Sequence, residues 1–278
     1  MPEFVAQLLL QSTTLAAHDV RCRGECRHRS AEECAAATHL VFPYRGLFMR
    51  HVGNTQSVAD ANHVLFFNAG EAYQVSHPAT GGDACLSLSI SQALLCELVP
   101  ADMLQRRAEP VFRDQSLRID ARAQVLVALL RHSLRSGAIE PLEAESLALT
   151  LVCRSLVSRT THAAGSTRAR QRLVDRAKLL LASGLSRRWT LAEIASRVGG
   201  SPVYLTQAFQ QVEGMPLYRY HLRLRLARAL DLIADCEDVA ALAVDLGFSS
   251  HSHFSAAFRQ AYGRTPRAFR QAALSQKP

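Results

Sequence analysis

The chain has 278 residues, 48% of them hydrophobic and 20% charged, and a formal net charge of +8. That length holds two domains of ordinary size, each with its own core. No apolar run approaches the ~20 residues that span a bilayer, and Met1-Pro2-Glu3-Phe4-Val5 lacks the basic start and apolar run of a signal peptide. A cytoplasmic protein is therefore expected, its seven cysteines reduced thiols and not a disulfide framework. The charge is uneven: 15 basic against 16 acidic residues as far as Ser166, then 17 against 8 from Thr167 onward. A positive field confined to one half favours a polyanion. A membrane surface fits less well, because the basic residues sit on helices with a packing role and no lipid-facing aromatic stripe accompanies them.

The first hundred residues favour strands. Thr38 to Val52 is rich in β-branched and aromatic residues and is broken by Pro43 and Gly46. Val64-Leu65-Phe66-Phe67 stops at Asn68-Ala69-Gly70, and Ala72-Tyr73-Gln74-Val75 runs to His77-Pro78. Cys85, Leu86, Leu88 and Ile90 alternate in part with serines, as a half-buried strand does. Short strands separated by turns predict an antiparallel sandwich or barrel. From Gln92 the pattern turns helical, with Leu126, Leu129 and Leu130 on one face of Ala121–Ser136 and a second helix over Pro141–Val157. These helices suit either a dimer surface or a cover for the barrel. Thr160 to Thr167 is small, polar and without period, which reads as a linker.

The last third carries one helix-turn-helix pattern twice. Leu191–Val198 is a short amphipathic helix stopped by Gly199-Gly200, and Ser201-Pro202 opens a second with the residues favoured at its cap and first position. Leu205, Ala208, Phe209 and Val212 give that helix one apolar face. The pattern repeats with Val239, Leu242, Ala243 and Leu246, a stop at Gly247, starts at Ser249-Ser250, then Phe254, Ala257, Phe258 and Ala261. Ala195 and Ala243 each lie four residues before the stopping glycine, where a small side chain lets two helices cross closely. Between the copies, Leu222, Leu226, Ala229, Leu230 and Ile233 stripe a helix that also carries Arg219, Arg223, Arg225 and Arg228. About 18 residues long, it spans ~27 Å, a rigid spacer suited to two helices roughly one DNA turn, ~34 Å, apart.

Gly247-Phe248-Ser249, Phe254, Ala257-Phe258-Arg259, Tyr262-Gly263-Arg264-Thr265-Pro266 and Phe269-Arg270 resemble the closing signature of the AraC/XylS (arabinose-regulator) family of bacterial transcription factors. Arg223-Leu224-Arg225-Leu226-Ala227-Arg228-Ala229 resembles that family's linker helix, so the likeness covers about the last hundred residues. It implies double-stranded DNA as partner, contacted by both recognition helices in adjacent major-groove segments. A weaker likeness to the family's cupin-like effector domain rests on Phe66-Phe67-Asn68-Ala69-Gly70-Glu71 and Ser76-His77-Pro78. The expected fold is α+β in two domains: a cupin-like β-barrel with appended helices and an all-α double helix-turn-helix domain. Residues 1–159 would bind effector and dimerise (β-rich 1–91, helical 92–159), 160–167 would link, and 168–278 would bind DNA.

On the first recognition helix, Val203, Tyr204, Thr206, Gln207 and Gln210 are the candidate DNA contacts: Gln can bond N6 and N7 of adenine, and a Thr or Val methyl can meet that of thymine. On the second, Ser252, Ser255 and Arg259 are candidates with His251 and His253 at the leading edge; Arg259, at the far end, suits a phosphate. Ala256 stands where the family often has Arg, which suggests weaker base reading by this helix. His251 and His253, two apart, point to different faces and do not form a metal pair.

In the β domain, Arg45, Arg50, Tyr73 and His77 are candidates for an effector pocket. Cys22, Cys26 and Cys34, with His18, His28 and His39 nearby and Cys85 on a later strand, offer the soft donors a thiophilic metal needs, though their spacing matches no standard zinc pair; small buried thiols are the alternative reading. The expected protein is thus a DNA-binding transcription regulator, a homodimer controlled by a small-molecule or ion effector, with RNA polymerase as a further partner and no chemistry of its own. A metal or redox switch at the cysteines, and a cupin-type enzyme fused to a DNA-binding module, remain the alternatives; for the enzyme, His77 and His63 lack the His-x-His, Glu and later His of such a site.

Overall fold

The computed structural model describes residues 4–24, 27–105, 109–157 and 167–274. Twelve strands come first among these residues: β1 (Phe4–Gln11), β2 (Leu15–Cys22), β3 (Glu33–Cys34), β4 (His39–Arg45), β5 (Phe48–Val52), β6 (Thr55–Ala59), β7 (His63–Phe67), β8 (Ala72–Ser76), β9 (Asp83–Ile90), β10 (Leu104–Gln105), β11 (Val111–Phe112) and β12 (Ser116–Arg118). Helix α1 (Gln92–Leu98) falls between β9 and β10, and α2 (Ala121–Ser136) and α3 (Pro141–Val157) follow β12. The C-terminal part is α4 (Arg168–Ser183), α5 (Leu191–Val198), α6 (Pro202–Glu213), α7 (Leu217–Leu232), α8 (Val239–Asp245), α9 (His251–Tyr262) and α10 (Pro266–Leu274).

The strands do not close into one barrel. They form an antiparallel six-stranded sheet in the order β1-β2-β9-β4-β7-β12 and a four-stranded sheet in the order β3-β8-β5-β6, with β10 and β11 as a separate ribbon. The expected helical stretch from Gln92 is also interrupted, since β12 returns at Ser116–Arg118 to pair with β7. Pro43 sits inside β4 beside a register shift, the position a strand proline tolerates because the ladder is already broken there.

The six-stranded sheet is covered on both faces. Leu40, Phe42, Phe66, Leu86 and Leu88 pack with Ala123, Val127, Leu130 and Leu151 of α2 and α3. On the other face Val41, Leu65, Phe67 and Cys85 meet Phe48 and Ala59 of the smaller sheet. This corrects the reading of β9 as half-exposed, for seven of its eight residues are buried. Its alternation is real but has another cause: Leu86 and Leu88 face the helices, whereas Cys85 and Ser87 line a cavity between the sheets.

The two parts of the chain are joined by buried polar contacts. The Lys178 ammonium of α4 lies 2.5 Å from Glu213 of α6, and Glu213 lies 3.3 Å from Nε2 of His63 on β7. His63 Nδ1 is 3.0 Å from Asp60, whose other oxygen accepts a hydrogen bond from the Tyr220 hydroxyl of α7. Arg223 donates to the Ile119 carbonyl at 2.6 Å, and Arg131 of α2 pairs with Asp231 of α7 at 2.7 Å. Ala61 packs with the core around α4, α5 and α6, and Ala128 with the core around α8 and α9.

Candidate nucleic-acid interface and effector cavity

Each half of the repeat forms from local signals. Thr190 caps α5 in a reciprocal box with Glu193, and Gly199 ends the helix at φ 74°. Ser201 accepts from the Tyr204 amide at the start of α6, with Pro202 in the first helical position. In the second half Asp238 caps α8, Ser250 caps α9, and Gly263 ends α9 at φ 73°. Ala195 and Ala243 are both buried, as a close helix crossing requires.

Packing then sorts the faces. Leu205, Ala208, Phe209 and Val212 of α6 are buried, while Val203, Tyr204, Thr206, Gln207 and Gln210 are exposed. On α9, Phe254, Ala257 and Phe258 are buried; His251, Ser252, His253 and Arg259 are exposed and Ser255 is half-buried. Some exposed groups have local engagements. Thr206 Oγ1 donates to the Pro202 carbonyl at 2.9 Å, and His253 Nδ1 lies 3.0 Å from Ser249 Oγ with its ring edge-on to Phe248. His251 Nε2 lies 3.4 Å from Ser255 Oγ. Gln207, Gln210 and Arg259 extend from the outward faces of helices whose inner faces are locked in place.

The spacer helix differs from its sequence reading. At 16 residues α7 runs about 24 Å, and only Arg219 of its four arginines is exposed. Arg225 donates to the carbonyls of Leu185 (2.7 Å), Arg187 (2.8 Å) and Gly247 (3.2 Å), so one guanidinium joins the loop before α5 to the turn between α8 and α9. Gly247 (φ +81°) lies so near that loop that a Cβ would stand 2.1 Å from the Ser186 carbonyl oxygen. The two half-motifs are therefore fixed to each other through α7. Sequence reasoning counted Arg225 only as basic charge; its neutral partners are carbonyls, which leave no trace in a residue pattern.

Between the two sheets of the N-terminal part lies a cavity of about 430 Å³, with Phe48, Phe67, Tyr73, Val75 and Val41 among its apolar walls. Of the sequence candidates, Tyr73 and His77 line it, and so do Cys22 and Cys34. Arg45 and Arg50 do not. Arg50 is fully buried: it donates to the Phe66 carbonyl at 2.7 Å, pairs with Glu71 at 2.9 Å and lies 4.1 Å over the Phe67 ring, so its charge is spent holding the strands. Burial pushes the Arg50 pKa down, with Glu71 opposing. Tyr73, held by burial and by Glu33, has its phenol pushed up to about 12 and stays neutral. Cys26 lies outside the described residues. Asp83, absent from the sequence candidates, faces Cys22 across the β2–β9 ladder, and only register could have shown it.

The architecture is that of a protein with a double helix-turn-helix domain, the class that places recognition helices in DNA grooves. Residues 194–272 match the family described as "Helix-turn-helix domain", and the curated relatives that the chain resembles carry the names of transcriptional regulators. It is 31% identical over 159 residues to the HTH-type transcriptional activator RhaR of Klebsiella pneumoniae, covering 54% of this chain and 54% of that one. It is 37% identical over 82 residues to the regulatory protein PocR of Salmonella typhimurium, covering 29% and 27% respectively. These matches thus span about half or less of those relatives. Among solved structures, the chain is similar to an AraC-type transcriptional regulator from Chromobacterium violaceum, with 30% identity over 38% of this chain and 96% of that one at a TM-score of 0.36. Among the described residues no helix is long and apolar enough to cross a membrane.

Proposed function

We propose that this chain is a sequence-specific DNA-binding transcription regulator whose DNA domain, from about residue 168, is controlled by a ligand held between the sheets of the preceding domain. The observation that carries the reading is the pair of outward helix faces on α6 and α9, held in one mutual arrangement by Arg225 and Gly247. On this reading α6 reads bases through Gln207 and Gln210, with Val203, Tyr204 and Thr206 beside them, and α9 orients the domain through Arg259, His251, Ser252, His253 and Ser255. The 430 Å³ cavity is of a size for a small organic effector. Its walls belong to the sheet that carries β7, and β7 holds His63 against Glu213 of α6, so a ligand that favours one sheet spacing has a direct mechanical path to the recognition helix. Leu142 and Val157, both exposed on α3, support a homodimer through that helix, and a bound dimer would present itself to RNA polymerase. The relatives' names are those of regulators, which favours this reading over a cupin-type enzyme fused to a DNA-binding module.

The test is selection of binding sites from random duplexes by the full chain, then affinity measurements on two variants. Gln207→Ala relaxes preference at one base position and costs ~1–3 kcal/mol on the selected site; a loss equal on every duplex sinks the base-reading role. Arg259→Ala weakens binding to all duplexes and flattens the salt dependence by about one phosphate contact. An unchanged salt slope removes Arg259 from the backbone.

A further inference from the structure

We propose that Cys22, His77 and Asp83 bind a thiophilic divalent cation, such as zinc(II), at the edge of the inter-sheet cavity. The three residues come from different parts of the sequence, and the fold unites them. Cys22 ends β2 and Asp83 begins β9, and the two are directly opposed in the antiparallel register. His77 follows β8 of the other sheet, so the set bridges the two sheets. The close approach depends on glycines: a Cβ on Gly82 would stand 2.3 Å from the Cys22 carbonyl oxygen, and one on Gly24 would stand 2.7 Å from the Gly82 Cα.

The donor atoms lie within 4.8 Å of one another. Tetrahedral zinc with bonds of about 2.0–2.3 Å holds its ligand atoms roughly 3.3–3.8 Å apart, so the wider separations would close by about 1 Å while the His77 Nε2–Asp83 Oδ2 pair, 2.8 Å apart, would open by about 0.5 Å. Two details point to a shared ion. Asp83 Oδ2 lies buried 2.8 Å from His77 Nε2, so the carboxylate and the imidazole already converge on one point beside the Cys22 thiol. The Gly24 amide donates to Cys22 Sγ at 3.4 Å, which orients the sulfur.

Charge also balances. One thiolate and one carboxylate neutralise a divalent ion, leaving a neutral imidazole as third donor and no net charge in a buried place. Binding releases one proton, from the Cys22 thiol to solvent. All three residues line the cavity, so the fourth position faces the space where a water or an effector's donor atom would sit. This site rests on the regulator reading above only for its effect on DNA, not for its occupancy.

The test uses the full chain, reduced and freed of metal, titrated with cobalt(II) and then displaced by zinc(II). One equivalent of cobalt is expected, with a sulfur-to-cobalt charge-transfer band. Cys22→Ser abolishes that band, and the near-isosteric Asp83→Asn and His77→Ala weaken uptake by more than the ~10–100-fold that loss of an outer partner costs. Cys34→Ser, a thiol of the same cavity, leaves band and affinity unchanged, and circular dichroism confirms that each variant is folded. A wild-type protein with no saturable thiolate band overturns the site, as does a band that survives Cys22→Ser. DNA affinity is measured separately with and without zinc(II): cobalt uptake without any change in DNA affinity keeps the site and removes its regulatory part, whereas loss of DNA binding altogether strikes the function reading alone.

Discussion

Two buried polar clusters, one at the domain boundary and one between the N-terminal sheets, are built on different plans. At the domain boundary Asp60, His63, Lys178 and Glu213 are two acids and two bases, each within ion-pair distance of another, with Tyr220 donating to the remaining Asp60 oxygen. In the cavity Cys22, His77 and Asp83 line open space between the two sheets, with His77 and Asp83 paired at 2.8 Å. A cluster of paired charges that spans two parts of the chain is a structural joint. A thiol, an imidazole and a carboxylate gathered at a cavity wall offer a cation three donors. The difference lies in what the groups join, two parts of the chain in one case and two sheets of one part in the other, and not in residue type, since both use histidine and carboxylate.

The largest effect expected from breaking this comparison is at the joint. Glu213→Ala strands the Lys178 ammonium and the His63 ring in a buried place, at a cost of about 3–5 kcal/mol, seen in chemical denaturation of the full chain. A loss below ~1 kcal/mol would mean that water reaches the cluster and that the two parts separate readily.

A second, intermediate effect is the pH dependence of the joint. Burial and the Lys178 ammonium disfavour the His63 imidazolium, yet Asp60 on one nitrogen and Glu213 on the other outweigh them and hold its pKa above the ordinary 6.5. Burial likewise opposes ionisation of Glu213 and Asp60, while Lys178 and His63 hold both carboxyls below their ordinary range; burial also opposes the Lys178 ammonium, whose pKa is nonetheless raised, chiefly by Glu213. A raised histidine pKa gives stability that is fully present below 6.5 and lost as pH rises through the folded value. Stability of the native protein therefore falls above pH 6.5, and His63→Gln removes that slope; the same slope in His63→Gln would assign it elsewhere. Asp175 and Arg118 border this cluster and are the groups to check next.

The smallest effect belongs to the cavity wall. Tyr73 donates to Glu33 at 3.0 Å in an exposed hydrogen bond, so Tyr73→Phe changes stability by no more than about 0.5 kcal/mol while altering the surface a ligand meets. A larger loss in thermal unfolding would make Tyr73 a strut of the smaller sheet and not a lining residue.

How much of this was legible in the chain follows from the range of each signal. The C-terminal helices declare themselves through caps, stops and apolar spacing within a dozen residues, and Gly199, Ser201 and Ser250 act where the sequence places them. The outward faces of α6 and α9 follow from the same spacing, because burying Leu205 and Phe209 or Phe254 and Phe258 leaves one side of each helix to solvent. The β domain was less readable. A strand covered on both faces has no polar side, and β9 shows its serines to a cavity and not to water. An open pair of sheets cannot be told from a barrel by strand count, because closure is decided by which edges pair.

By itself, then, the sequence determined the double helix-turn-helix repeat, the side of each recognition helix that faces outward and the confinement of positive charge to the C-terminal part, all properties of neighbours a few residues apart. Only the tertiary structure decided that Arg225 serves both half-motifs, that Arg50 is a buried brace, that Asp83 stands beside Cys22, and that His63 meets Glu213 150 positions further along the chain. These contacts join groups whose separation in sequence carries no period, and they come into being when sheets and helices pack.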